Sequence, residues 1–356
     1  MKAQTRRLRA AIGAAIGLGA LFSGVGPAQA ATIGGVNLGS LTDYLFVFTN
    51  GSVDANWQGA SNGFVGNVAI NGIKADERTS GTVPYAGTIY TNAATLGAWQ
   101  GIVNSNPGQA FASTNQVARL SGLQSDLYGA LHQVSGLAAT AGYASVSSGS
   151  LNGLNTQNGS SETFVINVTS GFNVSSKINI TGDAGDVFIL RWDSDANFGN
   201  GYNGGEVKFQ SGGAIVPLGG LKPGNFINVA GDIGSSGGGS TPASPYPQNP
   251  NDGPLGNLCS NCSNFNGGGF FTGVWLTTGK PEALDPNDPL GTLYYGKTGS
   301  FSNGIFVGGW YSTTDEFSMT SGTSGVYAVP LPAALWLLGS GLAGLGLFTR
   351  RRRNPA

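Results

Sequence analysis

The chain has 356 residues, 61 of them glycine, with 10% charged and 40% hydrophobic residues. The glycines have no period of three, which excludes collagen, and they are too frequent for long helical bundles, where each interior glycine costs about 1 kcal/mol relative to alanine. The apolar share excludes disorder throughout, and the formal net charge of −1 conceals an uneven distribution.

Residues 1–30 form a processing segment. Lys2, Arg6, Arg7 and Arg9 precede an Ala/Gly-rich apolar run, and Ala28-Gln29-Ala30 supplies the small residues that signal peptidase requires, with cleavage expected after Ala30. Thr5-Arg6-Arg7 lacks the apolar pair of the twin-arginine pathway, so the general secretion machinery is expected. All 18 acidic residues lie between the two ends, whereas the ends hold eight of the 17 basic ones. The body therefore has nine basic and eighteen acidic residues, a net charge of −9, which argues against nucleic-acid binding and suits an extracellular protein.

From Leu41 to Thr49 the aromatic and β-branched run LTDYLFVFT predicts a strand, followed by short Gly- and Asn-punctuated segments. Val117, Leu120, Gln124, Leu127, Leu131, Val134, Ala138 and Ala141, recurring at steps of three and four, predict a helix over 113–141, with Ser113 or Thr114 as its cap and Gly142 as its stop. Gly122, Gly129 and Gly136 recur every seven residues on one face, which predicts close packing of that face on a sheet. The only histidine, His132, sits in this helix and reads as a satisfied or surface residue rather than a catalytic base.

Strands are then expected at 163–169, 172–180, 186–192, 206–209, 214–216 and 226–230, starting about 9 to 19 residues apart, as irregular solenoid coils do. A β-sandwich is the alternative. Within a domain over 31–232, Asp193, Asp195 and Asn197 place oxygens at alternate positions. They could form a calcium site, although the positions an EF-hand fills with Gly and Glu are Phe198 and Gly204; an Asx-rich turn is the other reading.

The stretch 233–269 is rich in Gly, Pro, Ser and Asn and reads as a loop or linker. Its Cys259 and Cys262 are expected to form a local disulfide in an exported protein, since zinc would need two further soft ligands. Further strands of the same domain are expected over 270–328, at 270–278, 292–295, 304–311 and 325–329. Two G-x-S-x-G matches, at 59–63 and 234–238, and the G-x-G-x-x-G matches at 199–204 and 339–344 lack the strand-to-helix context those motifs need, and so read as products of composition. No catalytic residue is assigned.

The C-terminus is organised in three parts. Val329-Pro330-Leu331-Pro332 leads into an uncharged stretch from Ala333 to Thr349, about 25 Å long as a helix, and then Arg350, Arg351, Arg352 and Arg353. Over residues 329–356 this resembles the PEP-CTERM sorting tail, with Pro330-Leu331-Pro332 in place of Pro-Glu-Pro. The resemblance implies a transmembrane sorting helix held transiently in the inner membrane of a Gram-negative bacterium, processing by an exosortase, and release to the cell surface or to an exopolysaccharide matrix. The body, from about Leu38 to Ile233, resembles the choice-of-anchor A family and bacterial ice-binding-like β-solenoids through GSLNGLN, FVINVTSGFNVSSKINI and VFILRW. That resemblance implies a right-handed solenoid flanked by a helix.

The expected fold is thus mainly β, an irregular solenoid with one flanking α-helix. The expected function is non-enzymatic: an exported surface or matrix protein associated with exopolysaccharide. Alternatives are a carbohydrate hydrolase with Trp57, Trp99, Trp192, Trp275 or Trp310 as sugar platforms, and an ice- or surface-binding adhesin. Ice binding calls for a flat ladder of Thr, and the sequence has only clusters such as Thr320-Ser321-Gly322-Thr323.

Overall fold

The computed structural model describes residues 32–49, 54–56, 64–71, 85–92, 116–193, 206–210, 212–236, 269–277, 297–302, 304–312, 316–320 and 324–326. These fall in one compact unit, Ala31–Ala356. The expected signal segment, Cys259, Cys262 and the expected sorting tail with its transmembrane helix lie outside the described residues, among which no helix is long and apolar enough to cross a membrane.

The described chain opens with a small antiparallel hairpin, β1 (Thr32–Ile33) and β2 (Val36–Asn37). It continues through β3 (Tyr44–Phe48), β4 (Asp54–Asn56), β5 (Phe64–Val65), β6 (Asn67–Ile70), β7 (Tyr85–Ala86) and β8 (Ile89–Thr91) to helix α1 (Val117–Gly136). After α1 come β9 (Val146–Ser147), β10 (Leu154–Asn155), β11 (Thr163–Ser170), β12 (Asn173–Val174), β13 (Lys177–Gly182) and β14 (Val187–Trp192). The series ends with β15 (Glu206–Gln210), β16 (Ala214–Gly219), β17 (Phe226–Ala230), β18 (Asp232–Ser236), β19 (Phe270–Thr277), β20 (Lys297–Ser302), β21 (Ile305–Ser312), β22 (Glu316–Thr320) and β23 (Ser324–Val326).

Among the described residues, every strand pairing apart from the β1–β2 hairpin is parallel. Aligned antiparallel sandwiches do not pair this way, so the sandwich alternative is set aside. The strands form three ladders visited in turn. The first is β9-β11-β14-β17-β19-β21-β3-β6-β8, the second is β10-β13-β16-β19-β21-β23-β5-β7, and the third is β12-β15-β18-β20-β22-β4. This large parallel arrangement is consistent with a β-solenoid.

Strands β19 and β21 serve two ladders each because a glycine bends them midway. Gly273 has φ +88° and pairs with Gly308 at φ +146°. A Cβ on Gly273 would meet the Phe226 carbonyl oxygen at 2.5 Å, and one on Gly308 would run into the Gly273 backbone. Only glycine fits both the backbone angle and the space.

The interior is apolar and aromatic because parallel register places like residues above one another. Phe164, Phe188 and Phe226 stack with ring centroids 5.1 and 5.3 Å apart, and Trp275 lies in register with Trp310. Trp192, Trp275 and Trp310 are fully buried. They are core residues, which overturns their reading as sugar platforms; Trp57 and Trp99 lie outside the described residues.

A second core lies where α1 covers the first ladder. Leu120, Leu123, Leu127, Ala130, Leu131 and Val134 of the helix pack with Val47, Val165, Ile189, Val229, Val274 and Leu276 of the sheet. The helix ends at Gly136, so the expected core positions Ala138 and Ala141 lie beyond it and are exposed, as is Val117. The glycine stripe does not make the close sheet contact expected of it. A Cβ at Gly122, Gly129 or Gly136 would meet no atom within 4 Å, because Leu and Ala side chains make the sheet contact.

Three strand boundaries also change. Leu41 to Asp43 belong to a 3-10 turn (Gly39–Asp43), and only Tyr44–Phe48 is strand. The run 172–180 breaks into β12 and β13 on different ladders, with a corner at Ser175-Ser176. Ile233 to Ser236, read as the start of the loop, belong to β18, whose residue Ile233 is fully buried.

Candidate functional site

The third ladder is a candidate binding surface. Val174, Val207, Phe209, Ile233 and Met319 face the interior core. Period-two pleating assigns the alternate positions to the outer face. One file of these runs Asn173, Lys208, Gly234 by register, and Ser300, Ser318, Asn56 continue it on the far strands. A second file begins at Gln210 and Ser236, and resumes one residue past the Ser235–Phe301 pairing with Ser302 and Thr320. Strands of a sheet lie about 4.8 Å apart and alternate positions along a strand about 6.7 Å apart. By register these two files hold Ser, Thr, Asn, Gln and Gly positions with Lys208 as their one charged residue, whereas the positions two residues earlier along the same strands, Glu206, Asp232, Glu316 and Asp54, form an acidic file of the same ladder.

A groove of about 770 Å³ lies where the first turns of α1 meet β3, β6 and β8. Arg119 reaches it from α1, with its guanidinium 4.3 Å from the centre of the Tyr90 ring. Tyr44 meets Tyr90 edge-on at 5.4 Å. Loss of water around the Tyr44 hydroxyl pushes its pKa up to about 12, against the pull of Arg119, while nearby Tyr90 and Asp43 add to the rise. Asp43 is also raised above the usual carboxylate value, first by the protein wall that displaces its water, and again with Arg119 opposing. Asp126 is held by the Ser40 N–H, which donates to its Oδ2 at 2.7 Å.

The side chain of Arg191, in β14, is buried and serves the helix. Its Nε donates to Asn167 Oδ1 at 2.9 Å, and its terminal nitrogen donates to the carbonyls of Val134 at 3.1 Å and Leu137 at 2.9 Å. A guanidinium at these last carbonyls offsets the negative end of the helix dipole, so the charge is structural. Asn167 is itself only 4% exposed and donates to the Ala144 carbonyl.

Of the expected calcium ligands, Asp193 follows β14 and is fully buried, whereas Asp195 and Asn197 lie outside the described residues. His132 is exposed on α1. Sequence reasoning placed Gly122 in the glycine stripe and Thr42 to Tyr44 in a strand, and singled out none of the groove residues as a site. They come from four chain segments, and a single residue of α1, Asp126, bonds one 86 positions away. For the sheet, the alternation in KTGSFS and EFSMT was a usable signal, hidden by the unequal spacing of the coils.

No family model matches the chain, and no curated protein matches it. Among solved structures, it is similar to an ice-binding protein from an Antarctic Flavobacteriaceae bacterium (12% identity, TM-score 0.40). The alignment covers 86% of this chain and 51% of that one, so this chain spans about half its length. An ice-binding protein from an Arctic yeast is 13% identical with TM-score 0.46, covering 83% of this chain and 96% of that one. An ice-binding protein domain of Shewanella frigidimarina is 12% identical with TM-score 0.45, covering 84% and 99%. Likeness at this level concerns fold outline alone.

Proposed function

We propose that this protein is an exported, non-enzymatic surface-binding protein that uses the outer face of its third ladder against ice. The observation that supports the reading is the register of that ladder, which sets Ser300 beside Ser318 and Ser302 beside Thr320. Hydroxyl and amide groups both donate and accept, and a grid about 4.8 by 6.7 Å lets neighbouring groups hold water in a repeating array. The two files of small polar positions are the part of the ladder that would carry this order, and the acidic file of Glu206, Asp232, Glu316 and Asp54 borders them. Rigidity matters equally, because the stacked aromatic core fixes each strand from below and little ordering is left for binding to impose.

Export and retention in an exopolysaccharide matrix form the second part of the proposal. It is supported by the residues Ala28 and Ala30 at one end and by Val329 to Pro332 with Arg350 to Arg353 at the other. Secretion machinery, signal peptidase and an exosortase are the partners this implies.

Thermal hysteresis and partition of the full chain into slowly growing ice test the main reading. The wild-type chain should partition into ice, and Ser318→Tyr combined with Thr320→Tyr should abolish this while leaving the circular-dichroism spectrum unchanged. Absence of both effects in the folded wild-type protein, or survival of both in the double variant, refutes the reading.

A further inference from the structure

The groove beside α1 shares no residue with the third ladder and has a different chemistry. Its wall is aromatic at Tyr90, with Arg119 stacked on the ring and Tyr44 set against its edge. Fixed polar groups surround that wall. The Asn67 amide donates to the Asp43 carbonyl at 3.0 Å and its oxygen accepts from the Thr88 N–H at 3.1 Å, while Asp126 is tied to Ser40. Groups held in place before binding lose little freedom when a ligand arrives. The groove is open above Gly122, where a Cβ would meet nothing within 4 Å. Its volume of about 770 Å³ falls within the usual range of small-molecule sites.

Two carboxyls against one guanidinium leave no excess of positive charge, so the groove is ill suited to a polyanion. Hydroxyl groups of a polyol donate to carboxylates and accept from guanidinium N–H groups, and sugar C–H faces pack on aromatic rings. We propose that this groove is a saccharide site that takes one or two neutral sugar units, with Asp43, Asp126 and Arg119 bonding their hydroxyls beside Tyr90. Gly122 sets the room available, and Tyr44 backs the aromatic wall. The site goes beyond the ice-binding reading and does not depend on it.

The test is calorimetric titration of the full-length chain with cellohexaose, laminarihexaose and maltohexaose, and with an oligouronate as the anionic contrast. At least one neutral hexasaccharide should bind, and Asp43→Ala should weaken it. Gly122→Leu should weaken binding by about tenfold or more, equivalent to about 1.4 kcal/mol, because its side chain enters the groove. The melting temperature of Gly122→Leu should hold or rise, since leucine replaces glycine inside a helix where there is space. No binding of any neutral oligosaccharide at millimolar concentration overturns the proposal. So does undiminished binding by Gly122→Leu, or binding confined to the oligouronate. Ice partition measured on Gly122→Leu should match wild type, which keeps failure of the groove distinct from failure of the ladder.

Discussion

Replacing Arg191 with methionine should uncouple the end of α1 from the solenoid wall. In the folded protein the guanidinium is 3% exposed and makes three short bonds, to Asn167 Oδ1 and to the Val134 and Leu137 carbonyls. A bond from a charged donor contributes roughly 1.5 to 3 kcal/mol, so three would sum to about 4.5 kcal/mol or more if they were independent. Removing the charge also removes the cost of burying it, which offsets part of that loss. Methionine fills most of the volume but leaves two helix carbonyls and the Asn167 oxygen without this donor. The net destabilisation should be about 2 to 4 kcal/mol. Arg191→Lys should fall between wild type and methionine, since an ammonium cannot span the same fork. Urea denaturation measures the total. Hydrogen exchange should locate the effect in the last turns of α1, while amides of β17 and β19 keep their protection. A loss below about 0.5 kcal/mol, or faster exchange spread evenly over the molecule, would refute the argument that this charge exists to hold the helix end.

Three further outcomes follow from the same geometry. Tyr44 has a folded pKa raised to about 12 from 10.0, so the folded state keeps its proton longer than the unfolded chain does. Its contribution is complete below pH 10 and is lost as the pH rises through 12; Tyr44→Phe should therefore lose less stability over that interval in pH-dependent melting. Gly129→Ala should raise stability by up to about 1 kcal/mol because the helix has space there, whereas Gly273→Ala should lower it, being set against the Phe226 carbonyl at φ +88°; opposite signs in paired melts check this. Replacing Arg350, Arg351, Arg352 and Arg353 with glutamine should weaken inner-membrane retention and alter processing, and identical fractionation of variant and parent would end the sorting reading.

Local signals carried much of this protein. The aromatic and β-branched runs at 163–169, 186–192 and 226–230 became β11, β14 and β17 with ends within one residue, since a buried parallel strand is a short apolar segment wherever it sits. The step-three-and-four pattern placed α1 and four of its six buried residues, Leu120, Leu127, Leu131 and Val134. It missed Leu123 and Ala130, and it put the glycine stripe on the covered side, because periodicity identifies a face but not what lies over it. The expectations for both ends of the chain rest on local charge and composition and lie outside the described residues.

What the chain order concealed is the stacking. Tyr44 to Thr91 come first in sequence but continue the ladders after β21, β22 and β23, so Tyr311 bonds the Tyr44 carbonyl across 267 positions. Coils of unequal length make that register invisible to any fixed repeat, and the strand content of Asp232–Ser236, Lys297–Ser302 and Glu316–Thr320 emerges only when each strand has a neighbour to bond. The same folding-back brings Asp43, Asn67, Tyr90 and Arg119 into one groove and sets Ser302 beside Thr320. Composition and periodicity determined the helix and the most apolar of the strands. Tertiary packing alone decided which segments touch, because backbone hydrogen bonds between parallel strands carry no residue code and their register is selected by the side chains that stack inside.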